Sequence, residues 1–183
     1  MPVTESLSDA NLRSPTYYVA QTHAACRDCG ASTRLLALAL PRTHETLEDW
    51  PSAVEAESDG AATDRDAPGE SATDTWQHAD VDAFLFYVEQ LPDRVQRQLQ
   101  QISPGYRQAR SAATQSVYWV NHCEHCDALL DDYELHCEPE GAFMPCSEAE
   151  AGKIHLLRIL EPIEALAAGY SPDPVFFGLM PAS

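Results

Sequence analysis

Lysine is almost missing from this chain. Lys153 is the only one, and 11 Lys plus Arg stand against 29 Asp plus Glu for a formal net charge of −18. Affinity for phosphate backbones comes mainly from Lys and Arg displacing counterions, so nonspecific DNA or RNA binding is disfavoured. Anionic membrane surfaces are disfavoured for the same reason. A basic protein partner is compatible with such a surface, and so is simple solvation. Long apolar runs are also lacking. The longest, Leu35 to Leu40, falls far short of the roughly 20 residues of a membrane span. The stretch from Met1 to Arg13 carries Glu5 and Asp9 and has no basic segment leading into an apolar one, so it does not read as a secretory signal. The expectation is a cytoplasmic protein whose six cysteines stay reduced, which favours thiolate–metal chemistry over disulfides. Finally, no phosphate loop and no Ser/His/Asp order is present, so catalysis is not the expected task.

What is present suits one folded domain. The 183 residues are 44% hydrophobic, enough for one core. Residues 1–15 read as a frayed polar start and 16–183 as the domain. Tyr17 to Thr22 is aromatic and β-branched and predicts a strand. Leu35 to Leu40, stopped by Pro41, predicts a short buried one. Between about 43 and 79 the chain turns acidic and small-residued, which reads as a mobile loop flanked by Trp50 and Trp76. Apolar steps of three or four through Val81, Phe84, Leu85, Val88, Leu91, Val95, Leu99 and Ile102 predict a helical segment, with Asp80 as N-cap and Pro92 restarting it. Val117 to Asn121 predicts a strand, and Leu129-Leu130 with Tyr133 and Leu135 its return. Ile154 to Leu160 leans to strand. The prolines at 162, 172, 174 and 181 make the remainder read as loop.

The strongest motif is a pair of Cys-x-x-Cys turns, Cys26/Cys29 and Cys123/Cys126. Two intervening residues let both sulfurs converge on one ion while backbone N–H groups face the thiolates. Gly30 follows the first turn and can adopt positive φ. Asp127 follows the second, and aspartate tolerates that conformation. Tyr-Tyr-Val before the first pair echoes Tyr-Trp-Val before the second, which suggests two facing hairpins. These turns resemble the paired knuckles of zinc-ribbon and rubredoxin-like modules over roughly 16–40 and 116–137. The segment from Tyr118 through Cys126 to Phe143 is similar to an uncharacterised family of bacterial proteins with split ribbons, which implies no particular activity. The resemblance implies one structural Zn²⁺ on Cys26, Cys29, Cys123 and Cys126, with iron as the alternative metal. It also implies an α+β fold: a split zinc ribbon of short antiparallel strands with a helical insertion between the two knuckles.

Other polar residues weigh less. His122, His125 and His136 are candidates to support the thiolates from outside the ligand set. Cys137 and Cys146 with His136 and His155 fit no compact ligand spacing. Asp131, Asp132 and Glu138 read as a solvated face. The expected role is a protein-binding or regulatory module, one version being an inhibitor of a basic partner; the alternatives are rubredoxin-like electron transfer or a nucleic-acid-associated ribbon. For that last reading, Arg94, Arg97, Arg107 and Arg110 are the nearest approach to a basic cluster.

Overall fold

The computed structural model describes residues 7–47, 75–112 and 115–183. In chain order these form β1 (Leu12–Ser14), β2 (Tyr17–Ala25), β3 (Ser32–Leu40), β4 (Glu45–Leu47), β5 (Trp76–His78), β6 (Ala83–Gln90) and α1 (Asp93–Ile102). Then follow β7 (Tyr106–Arg110), β8 (Val117–His122), β9 (Leu129–Leu130), α2 (Asp132–His136), α3 (Glu148–Ala151), β10 (His155–Ile159), β11 (Ile163–Pro172) and a 3₁₀ turn at Phe177–Leu179. The strands make one 11-stranded sheet in the order β10-β2-β3-β6-β11-β1-β4-β5, with β8 branching from β6 and flanked by β7 and β9. Every pairing between these strands is antiparallel.

The fold is therefore mostly β, which corrects the expected α+β split ribbon. Among the described residues only α1 is a helix of any length, and between the knuckles strand far outweighs helix. The unbroken apolar run in β3 has a simple cause: the strand is buried on both faces. Leu36, Leu38 and Leu40 enter a core with Val19, Leu85, Val95 and Leu99, under α1. Leu35, Ala37 and Ala39 enter a second core with Phe84, Phe143, Ile154, Phe177 and Met180, covered by the C-terminal segments.

Helical spacing misled at β6. Its steps of three and four hold across a strand and the following helix, and only the second half obeys them structurally. Phe84 faces one core while Leu85 and Val88 face the other, as neighbours on a doubly buried strand do. Pro92 caps α1, its carbonyl accepting from the Val95 and Gln96 N–H groups at 2.9 and 3.1 Å. Asp80 caps nothing helical, since β6 follows it. Two further expectations are corrected. Tyr133 and Leu135 belong to α2, capped by Asp131, and not to a return strand. Ile163–Pro172, expected as loop, is the longest strand among the described residues. Its prolines sit at or beyond the ends, where they cost no ladder bond, and after Ile163 its inward residues are the small Ala165, Ala167 and Gly169. Tyr17 and Val117 begin strands as expected, and His155–Ile159 is a strand within the expected Ile154 to Leu160; Leu12–Ser14, in the stretch read as a frayed start, pairs with β11 and β4. The acidic loop reading falls largely on 48–74, Trp50 included, which lie outside the described residues.

At Gly169 the sheet needs the absence of a side chain. A Cβ there would lie 2.2 Å from the Phe86 ring, and Phe86 itself stacks on His136 with centroids 5.3 Å apart. Gly169→Ala is expected to destabilise the fold by about 1–3 kcal/mol, the usual range for overpacking, measured as a lower urea midpoint at unchanged slope.

Candidate metal centre

The two Cys-x-x-Cys turns are the tips of two hairpins. β2 and β3 present Cys26 and Cys29; β8 and β9 present Cys123 and Cys126. Each tip is built the same way. Gly30 N–H donates to the Cys26 carbonyl at 2.8 Å and Cys26 N–H to that of Ala31 at 2.8 Å. In the second tip, Asp127 N–H donates to Cys123 at 3.0 Å and Cys123 N–H to Ala128 at 2.9 Å. Gly30 has φ +73° and Asp127 +63°, the left-handed conformation anticipated at both positions. Asp127 is further fixed by Arg107, which donates to its carboxylate at 2.6 Å and lowers its pKa.

All four sulfurs lie within 4.8 Å of one another, although 93 residues separate the pairs along the chain (positions 30 to 122). Cys26 Sγ is 3.7 Å from Cys126 Sγ, and Cys29 Sγ is 3.6 Å from Cys123 Sγ. A tetrahedron with Zn–S bonds of about 2.3 Å has edges of about 3.8 Å, so these spacings fit a single ion. Cys26 and Cys123 are buried, Cys29 and Cys126 exposed. The Cys126 and His125 N–H groups point at Cys123 and bring its pKa down to about 6. At Cys126 the Ala128 N–H acts in the same direction, but desolvation and the surrounding thiols outweigh it and hold the group up at about 12. Four thiols this close do not ionise together unless a cation neutralises them. The donor set therefore fits a divalent metal and leaves no position for water.

Side chains outside the motif bring the hairpins together. Asn121 is buried in β8, and its carboxamide spans to β3, accepting from Leu36 N–H at 2.9 Å and donating to Leu36 C=O at 2.9 Å. It stands in for a missing strand partner where β3 and β8 diverge along β6. Nearer the sulfurs, Glu124 N–H donates to Thr33 Oγ1 at 3.0 Å. The His125 ring donates from Nε2 to Ser32 C=O at 3.1 Å. Arg27, inside the first turn, pairs with Glu134 of α2. None of Asn121, Thr33 and Glu124 was singled out from the sequence. The available signal was Asn121, a buried-type strand position carrying an amide.

The three histidines go to different places. His125 supports Cys123 through its backbone N–H at 3.4 Å while its ring binds a carbonyl. The His122 ring turns to the Gly105 and Val120 carbonyls at 3.1 and 3.2 Å. His136 stacks between Phe86 and Phe143, where burial drives its pKa down to about 3. Among the described residues the four cysteines form the one group able to hold a metal, so Cys137, Cys146 and His155 are not gathered into a second.

The acidic pair is not a solvated face. Asp131 caps α2 and takes the Tyr118 hydroxyl at 3.1 Å. Asp132 is buried, accepts the Tyr87 N–H at 2.7 Å, and has its pKa raised to about 7 by desolvation. Tyr87 sits at φ +51°, costly for a bulky residue, and Asp132 takes the donor this bend removes from the ladder. A carboxyl whose folded pKa lies above its unfolded value stabilises fully below the unfolded pKa, and that stability is lost as pH rises through the folded one. Asp132→Asn, which keeps an acceptor for Tyr87, is therefore expected to stabilise the protein at pH 7.5 by a few kcal/mol, to order of magnitude. The gain should shrink by about half or more at pH 5, as read from urea unfolding at the two values.

No family model, curated protein or solved structure matches the chain. The metal reading rests on this geometry. Among the described residues no helix is long and apolar enough to cross a membrane.

Proposed function

We propose that Cys26, Cys29, Cys123 and Cys126 hold one structural Zn²⁺, and that the stapled sheet serves as a protein-binding or regulatory module in the cytoplasm. The observation that carries the metal is the pair of inter-hairpin sulfur distances, 3.6 and 3.7 Å, on two turns of identical hydrogen bonding. Bound zinc supplies charge neutralisation and a cross-link; the closed ligand set gives it no substrate position. A reducing compartment suits four free thiols.

The binding role is supported by a cleft of about 660 Å³ beside the hairpin tips, where Tyr87, Tyr133, Asp131, Glu134 and Glu138 meet Arg27 and Arg110. Tyr133 is 54% exposed there. Tyrosine faces with nearby carboxylates suit a basic side chain. A nucleic-acid role is less well supported. Two of the four arginines nearest to a cluster are engaged by carboxylates, Arg94 by Glu161 and Arg107 by Asp127.

Elemental analysis of protein purified without added metal tests the reading, with one zinc per chain and a colourless solution expected. A red protein containing iron would favour electron transfer instead. For the partner, affinity capture at rising salt is expected to retain a basic protein at low ionic strength and to release it as charges are screened.

A further inference from the structure

The charges around the cleft beside the hairpin tips do not balance. Glu134 is paired with Arg27, which also lies 3.9 Å from Asp28. Asp131 and Glu138 on the cleft wall, and Asp132 next to them in α2, enter no ion pair among the described residues. Asp131 takes the Tyr118 hydroxyl at 3.1 Å and the Tyr133 N–H at 2.9 Å, and Asp132 takes the Tyr87 N–H at 2.7 Å. These donors are neutral. They position the carboxylates without cancelling their charge. Against this surplus the wall carries one cation outside any ion pair among the described residues, Arg110. Desolvated negative charge held without a cation is costly, and a cationic ligand entering the cleft relieves that cost.

The rings on the wall favour one kind of cation. Tyr133 is exposed there, and Tyr87 reaches the cleft with its ring fixed edge to face against Tyr118, centroids 5.0 Å apart and planes at 83°. Burial, and then the charges of Asp131 and Asp132, push the Tyr87 hydroxyl pKa up, so this ring stays neutral beside them. A guanidinium is planar, stacks on tyrosine faces and takes a carboxylate through two parallel N–H bonds. An ammonium is a more strongly hydrated point charge without the flat face. Leu129 and Ala112 supply apolar wall for the methylenes of a long side chain. At ~30 Å³ per non-hydrogen atom, the cleft of about 660 Å³ has room for an arginine with a neighbouring residue.

Building on the protein-binding role above, we propose that this cleft admits an arginine side chain of the partner, its guanidinium stacked on Tyr133 and bonded to Asp131 and Glu138. Arg110 is then free for a carbonyl of the same peptide. Titrating the full-length protein with acetyl-Ala-Arg-Ala-amide, followed by amide NMR, is expected to give saturable shifts at Tyr87, Asp131 and Tyr133 with a Kd on the order of 1 mM. The lysine peptide of the same length is expected to bind about fivefold more weakly. The citrulline peptide, which keeps the shape and loses the charge, is expected not to saturate. Tyr133→Ala removes an exposed ring and should weaken the arginine peptide roughly tenfold; Glu138→Gln should weaken it about threefold, and the dispersed spectrum verifies the fold of both. The proposal is overturned if the arginine peptide fails to saturate by about 20 mM, if the lysine or citrulline peptide matches it, or if Tyr133→Ala binds it unchanged. A basic protein retained equally by the parent and by Tyr133→Ala would also overturn it while leaving the protein-binding role in place.

Discussion

Cys123→Ser is expected to release the metal and to lower the melting temperature by about 10 °C or more, at 2–4 °C per kcal/mol for a chain of this size. Structural zinc binds with on the order of 10 kcal/mol in small domains, and that free energy becomes folding free energy. Here the ion would also close the long excursion from Cys29 to Cys123, whose entropic cost grows only slowly with length. The loss is smaller than unfolding outright, because two cores buried against the sheet do not depend on the metal. Cys26→Ser should behave alike, since Cys26 is the buried ligand of the other hairpin. Cys137→Ser and Cys146→Ser lie outside the sulfur cluster and are expected to leave metal content unchanged. Differential scanning calorimetry with and without a chelator checks all four variants. Equal melting temperatures for Cys123→Ser and the parent would count against a stabilising metal.

Asn121→Leu has the second largest expected effect, about 2–5 kcal/mol, because it strands two buried backbone groups at once. The Leu36 N–H and C=O have their side-chain partner in Asn121, at 2.9 Å each, and leucine can supply neither. The cost should also appear at the metal, since Asn121 lies two residues before Cys123 and sets how β8 approaches β3. Zinc transfer to a competing chelator is therefore expected to be faster in Asn121→Leu than in the parent. A variant that unfolds at the parent's denaturant midpoint would show that the amide bridge carries little.

The sequence and the structure agree most closely where one residue type admits one chemistry. Cysteine pairs at a two-residue spacing, followed by Gly30 and Asp127, specified a turn whose hydrogen bonds and φ values recur in both hairpins. The fold was legible only in pieces. The β2, β3 and β8 strands are dense in aromatic, β-branched or leucine side chains. β11 conceals itself because, after Ile163, its buried positions are Ala165, Ala167 and Gly169, too small to give a hydrophobic signal. β6 conceals itself differently: Phe84, Leu85 and Val88 fit a helical period by accident of a strand buried on both faces, and α1 then continues that period in earnest. Asp131 is a helix-start residue present in the sequence, and its carboxylate takes the Tyr133 N–H at the head of α2. What no local pattern could give was the meeting of the hairpins, because Asn121, Thr33 and Ser32 act across about 90 residues through one or two hydrogen bonds each.

X-ray absorption at the zinc edge on the purified chain is the most direct test of the four-sulfur site. The expected spectrum has a single shell of four sulfur scatterers at about 2.3 Å and one zinc per chain. A first shell containing nitrogen or oxygen, or protein free of any metal after purification in reducing buffer, would contradict it.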